Sequence, residues 1–182
     1  MIRKLLVTSI AAATALTAVP ALAQNGQQAI EEIQVTSTLR KSAGLADVNA
    51  AVSVIGEQEL DLIKHTHLQE ALNRLPGVSI HRNNGQESLL AIRSPILTGA
   101  GACGSFLVAE NGIPIRSSGF CNVNEMFDTH SENASRVEVI RGPGSAFWGS
   151  NAVHGLINVV LPTAGEAGEI MLEQGPRGSQ RL

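Results

Sequence analysis

Aromatic side chains are scarce in this chain of 182 residues: they make up 3% of it, with no tyrosine, four phenylalanines and a single tryptophan, Trp148. A membrane-spanning β-barrel needs at least eight strands of roughly 10 residues and aromatic girdles at both interfaces. The chain has neither the length nor the rings, so it is not expected to cross a membrane alone. Positive charge is also limited, with 13 Lys and Arg against 16 Asp and Glu, a balance that argues against a nucleic-acid binder. The apolar run over residues 5–19 falls short of the roughly 20 residues of a spanning helix. Internal repeats and low-complexity tracts are absent.

Signatures of catalysis are lacking too. In "RGPGSAFWGS" (residues 141–150), Gly144 and Gly149 have the glycine spacing of a phosphate-binding P-loop. Ser150, however, stands where a lysine would neutralise phosphate. No G-x-G-x-x-G occurs there, and no G-x-S-x-G nucleophile turn occurs anywhere in the chain. Of the five histidines, His65 and His67 lie two apart, a spacing that shares a face only on a strand, and here they bracket a helix start. They read as solvated polar groups, His154 reads as a loop or packing residue, and no catalytic residue, metal or cofactor is expected.

The first 23 residues have the form of a signal peptide: a basic start at Arg3 and Lys4, the alanine-rich apolar run, and Pro20 before Ala21-Leu22-Ala23, an A-x-A pattern ahead of Gln24. Removing the leader takes two of the 13 basic residues, leaving 11 against 16 acidic ones. Cys103 and Cys121 are the only cysteines. In an exported chain, with both in one glycine-rich region, they are expected to form a disulfide, which would contribute about 3 kcal/mol in the chain-entropy picture. Two unpaired buried thiols are the alternative.

Residues 24–29 are polar and aperiodic, as in a flexible terminus. In "EEIQVTST" (residues 31–38), Ile33, Val35 and Ser37 alternate with Gln34, Thr36 and Thr38, a β-branched extended segment. Further strands are expected at 51–55, 78–80, 88–92 and 106–110. Asn111-Gly112 then signals a hairpin whose return limb, 113–115, is confined to an edge by Pro114. A helical turn follows residue 55. A clearer helix runs from Thr66 to Leu75, where Thr66 and Gln69 have capping-box spacing and Leu68, Ala71, Leu72 and Leu75 form an apolar stripe. Two last strands, 136–140 and 155–161, flank the glycine-rich crossing. Few strands and short helices in mixed order predict a small α+β domain with a mixed sheet.

Three segments together, "EEIQVTST", "LQEALNRLPGV" and "VEVIRGPGSAFWGSNAVHGLINVV", resemble the plug domain of the TonB-dependent outer-membrane receptors. The likeness covers roughly residues 31–162, and the last segment is the specific one. It implies a globular plug, here residues 39–162, that occludes a large transmembrane barrel until a TonB-type periplasmic energy transducer pulls on it. Residues 24–38 would be a flexible tail carrying the TonB box, with Ile33, Gln34, Val35, Thr36, Ser37 and Thr38 pairing as an added strand with the transducer. An ordinary first strand of the domain is the alternative for this segment.

By the same resemblance, Gly142, Pro143, Gly144, Gly149 and Gly155 would bring backbone close to the inner barrel wall, and Arg93 and Arg141 would meet acidic groups there. Departures occur where the family usually has I-R-G, because this chain has Ile92-Arg93-Ser94-Pro95, and at His154, where glycine is common. Residues 163–182 resemble the start of a first barrel strand, so a receptor fragment is expected. Its ligand would be a small molecule such as a metal chelate (a ferric siderophore, haem or cobalamin), met by loops at 81–86, 94–105 and 116–122. The implied location is the outer membrane. Two other readings are an exported periplasmic interaction module without transport and an exported hydrolase using an unrecognised serine and histidine.

Overall fold

The computed structural model describes residues 33–38, 42–82, 87–94, 106–115, 125–144, 146–163, 165, 172–175, 178 and 180–181. The expected signal peptide, the Cys103–Cys121 bridge and nearly all of the three expected ligand loops lie outside the described residues. Eleven short strands are found among them: β1 (Gln34–Val35), β2 (Ala43–Gly44), β3 (Val52–Gly56), β4 (Val78–Arg82), β5 (Ser88–Ile92), β6 (Phe106–Glu110), β7 (Ile113–Pro114), β8 (Arg136–Arg141), β9 (Gly155–Val160), β10 (Glu173–Gln174) and β11 (Gln180–Arg181). Two helices, α1 (Glu57–Ile63) and α2 (Leu68–Leu72), lie between β3 and β4. The α+β class with a mixed sheet is the observed one.

Five strands form the main sheet in the order β3-β8-β9-β6-β7. Its pairs are antiparallel except β6 with β9, which run parallel. Period-2 alternation sends the side chains of each strand to opposite faces, and the register aligns these sets across strands. Ile55, Val137 and Val159 form one cross-strand row, and Val139, Ile157 and Val108 the next. This face packs against Leu60 of α1, against Leu68, Ala71 and Leu72 of α2, and against Val78, Ile80, Leu90 and Ile92 of the β4–β5 hairpin. Burying each Val, Leu or Ile side chain among these contributes about 1.5–3 kcal/mol.

The second face carries Ile140, Leu156 and Leu107 in one row and Glu138, Asn158 and Ala109 in the next. Its apolar part packs against Trp148 and Ala152. A sheet covered on both sides explains why "RVEVI" and "GLINVV" are buried almost without interruption.

α2 begins two residues later than the capping-box spacing predicts. The His67 ring, not the Thr66 hydroxyl, caps it: His67 Nδ1 accepts from the Gln69 amide at 3.1 Å, and the Glu70 carboxylate accepts from the Thr66 amide at 3.0 Å. The helix ends at Leu72, and Asn73 and Leu75 continue as hydrogen-bonded turns before Pro76. β7 is the expected edge limb, with Pro114 exposed and its missing amide costing no ladder bond. β10 and β11 pair with each other as a separate two-stranded ribbon.

Candidate functional site: a docked N-terminal segment and the glycine-rich crossing

Residues 33–38 lie packed on the domain. Gln34 and Val35 pair antiparallel with Gly44 and Ala43, and the Leu45 amide donates to the Ile33 carbonyl at 2.8 Å. Ile33 and Gln34 are exposed, whereas Val35 and Ser37 are buried. Only two of the six residues form a strand, because the chain bends after Val35 and meets a carboxylate.

That carboxylate belongs to Glu138, in the middle of β8, with a side chain 0% exposed. It accepts from the Ser37 amide at 2.7 Å and from the Thr36 amide at 3.0 and 3.1 Å to its two oxygens. The Thr36 hydroxyl donates to the same oxygens at 3.2 and 3.4 Å. Arg136, two residues away on the same strand face, donates from Nε at 2.8 Å. A buried carboxylate requires this kind of saturation, since charge taken out of water is tolerated only when paired and hydrogen-bonded. The Trp148 indole N–H completes the site by donating to the Ser37 carbonyl. Sequence reasoning identified the segment but missed Glu138 and Trp148, its partners more than a hundred positions away. The available signal was a glutamate inside an apolar run buried on both faces.

Trp148 is held by the glycine-rich crossing itself. The Gly144 amide donates to the Ala152 carbonyl at 2.6 Å, and a methyl group at Gly144 would come within 2.7 Å of Ala152 Cβ and 3.5 Å of Trp148 Cβ. Gly155 opens β9, and a Cβ there would meet Ile92 Cδ1 at 2.7 Å and the Ile140 carbonyl at 2.9 Å. These two glycines permit close packing inside the domain. Gly142 and Gly149 differ: a Cβ at either would meet nothing within 4 Å, and their φ angles are +139° and +74°. Pro143 is exposed, as are the apolar side chains of Phe147 and Val153, at 57% and 48%.

Arg93 and Arg141 are brought together. Arg93 Nη1 donates to the Arg141 carbonyl at 3.3 Å, and Arg141 Nη1 donates to the Pro76 carbonyl at 3.0 Å. Arg93 has a left-handed backbone, φ +51°, fixed by its amide donating to the Gly77 carbonyl at 2.9 Å. Their partners among the described residues are main-chain carbonyls, and Arg141 Nε is buried without one.

His65 and His67 are not solvated, contrary to the sequence expectation: they are 5% and 4% exposed. His65 Nε2 lies 3.0 Å from the Ser131 hydroxyl and His67 Nε2 3.3 Å from that of Ser88. The turn they bracket packs onto the core, so each ring spans elements distant in sequence. His154 stacks obliquely on Phe106, ring centres 5.6 Å apart, in the packing role expected of it. Among the described residues no three His, Cys, Asp or Glu side chains cluster as metal ligands, and no helix is long and apolar enough to cross a membrane.

His130 and Glu110 form a further titratable pair, with Nδ1 3.0 Å from a carboxylate oxygen that also accepts from the His130 amide at 2.8 Å. Burial pushes the Glu110 carboxyl up, but the hydrogen bonds from the His130 backbone and ring outweigh it and hold the group below its usual value. The same contact raises His130.

The fold has counterparts among solved structures. It is similar to part of the ferripyoverdine receptor of the outer membrane of Pseudomonas aeruginosa, in its structure bound to ferripyoverdine, at 16% identity and a TM-score of 0.56, covering 72% of this chain and 16% of that one. It is likewise similar to the alcaligin outer-membrane receptor FauA from Bordetella pertussis, at 19% identity and a TM-score of 0.51, covering 71% of this chain and 21% of that one. The chain thus spans no more than about a fifth of the length of these two receptors. The family model described as the TonB-dependent receptor plug domain matches residues 44–156, from the last residue of β2 into β9 and across the glycine-rich crossing. With the mixed sheet and that match over more than half its length, the chain belongs to the plug-domain family of the TonB-dependent receptors.

Proposed function

We propose that this chain is the plug of an outer-membrane receptor that takes up a scarce nutrient, of the class of ferric siderophores, haem or cobalamin, using energy delivered by a TonB-type periplasmic partner. The observation that carries the reading is how residues 33–38 are held. We read them as the coupling box by resemblance, and a two-residue ribbon and a few side-chain bonds tether them instead of a full ladder. A segment tethered in this way can detach and offer its main chain to an exposed sheet edge of the partner.

The rest of the surface fits a plug. Phe147 and Val153, exposed on the same crossing as Pro143 and Gly149, would offer apolar side chains to the inner wall of a barrel. Arg93 and Arg141 are poised for acidic groups on that wall, which would replace carbonyl partners with charged ones. Gly155 would contribute indirectly, since its space is filled by Ile92. The Cys103–Cys121 bridge would shape a ligand-facing loop. Residues 1–23 would direct export, 24–38 form the coupling tail, 39–162 the plug, and 163–182 lead into the barrel.

Because Val35 is buried, a proline there would disturb packing as well as pairing; Gln34, whose side chain is exposed, gives the cleaner test. Gln34→Pro removes one amide donor. The variant should lose binding to a purified TonB periplasmic domain while retaining the thermal transition of the parent. Retained binding would count against strand addition by this segment.

A further inference from the structure

The bonds that hold residues 33–38 use the main-chain groups a partner strand would need. The Ile33 carbonyl is taken by Leu45, Val35 is paired with Ala43, the Thr36 and Ser37 amides are taken by Glu138, and the Ser37 carbonyl by Trp148. Docking and pairing with an outside strand through these same groups are therefore mutually exclusive. The socket is also built to survive being vacated. The Arg136–Glu138 contact does not involve the segment, so the carboxylate has a counter-charge that does not depend on docking. The docked form is not fully satisfied either: the Ser37 hydroxyl and Asn158 Nδ2, the latter beside Glu138 across the β8–β9 register, are buried without a partner among the described residues. Such atoms weaken the closed arrangement.

We infer that Glu138 and Trp148 form a clasp that sets how often the segment is available, acting as positioning residues for the coupling step. This rests on the reading of residues 33–38 as the coupling segment. Glu138 reads main chain at two successive amides and one side chain, the Thr36 hydroxyl. Trp148 stands in the crossing between β8 and β9, so the packing of Gly144 on Ala152 that fixes the crossing also fixes one jaw of the clasp. A disturbance of the crossing from its exposed side, at Phe147 or Val153, would reach the segment through this indole. The crossing is thereby both a surface and a latch.

The test uses amide hydrogen exchange on the full chain and on Glu138→Gln, together with binding of a purified TonB periplasmic domain. Glutamine keeps the shape but replaces one acceptor oxygen by a donor facing two amides. The Thr36 and Ser37 amides should exchange roughly tenfold faster or more, with Val137 and Ile157 unchanged. The TonB domain should bind about threefold tighter or better, because the competent fraction rises. Unchanged exchange at Thr36 and Ser37 would overturn the clasp. Faster exchange with no TonB binding by either protein would leave the clasp standing and overturn the coupling reading instead.

Should Glu138→Gln also release Val137 and Ile157, Trp148→Phe decides, since it keeps most of the ring and removes only the donor. Faster exchange at Ser37 and tighter TonB binding would support the clasp, and parental values for both would overturn it.

Discussion

Gly155 has no room for a methyl group, and that fixes what it does. A Cβ would press on both a side chain of β5 and the Ile140 carbonyl, and the carbonyl belongs to the ladder and cannot yield freely. Gly155→Ala should therefore destabilise the domain by about 1–3 kcal/mol, the usual cost of overpacking, seen as a lowered denaturation midpoint. Gly149→Ala meets no neighbour, and its cost comes only from positive φ. Thr36→Val should weaken docking by about 1.5–3 kcal/mol, the range for a hydrogen bond to a charged acceptor, measurable as faster exchange at Ser37 with the global transition unchanged.

The His130–Glu110 pair gives a pH signature. His130 is raised above 6.5, so its contribution is full below that value and is lost as pH rises through the folded value. Glu110 is lowered below 4.5, so its contribution is present above that value and is lost as pH falls through the folded one. The contact is thus complete between about pH 4.5 and 6.5. An NMR titration should place the His130 ring above its ordinary value, and Glu110→Gln should bring it back. An unchanged titration in the variant would contradict the contact.

At the scale of elements, the strands were the legible part. β5 and β6 have the predicted limits, and β3, β4, β8 and β9 lie within two residues of theirs, because alternation and bounding turns are local signals. The α2 boundary was misplaced because an imidazole took the cap from a hydroxyl with better spacing. The two-sided burial of β8 and β9 had a visible trace in their unbroken apolar runs. Their position at the sheet centre was not visible, because it depends on β6 returning parallel to β9 across a large sequence separation. The sequence resemblance placed the crossing, with Gly142, Pro143, Gly149 and Gly155, against a barrel wall. The flanking strands lie in the middle of the domain's own core, and Phe147 and Val153 of the crossing are exposed. Hydrogen exchange should find Val137 and Ile157 among the slowest amides and those of α2 faster. The reverse order would return the core to the helix.

At the scale of the whole molecule, the family was legible from one long motif, whereas the site was not. Glu138 and Trp148 meet residues 33–38 only after the sheet has formed, and no periodicity reports a contact between a strand centre and a bend a hundred residues earlier. The scarcity of aromatic residues now becomes useful. Trp148 is the only tryptophan, there is no tyrosine, and its buried indole touches the segment. Its emission reports docking directly. The decisive measurement is tryptophan fluorescence with acrylamide quenching of the full chain titrated with a TonB periplasmic domain that itself lacks tryptophan. Release of the segment on binding should give red-shifted, more readily quenched emission that saturates with the TonB domain and does not occur in Gln34→Pro. Binding that leaves Trp148 emission and quenching unchanged, or no binding at all, would contradict it.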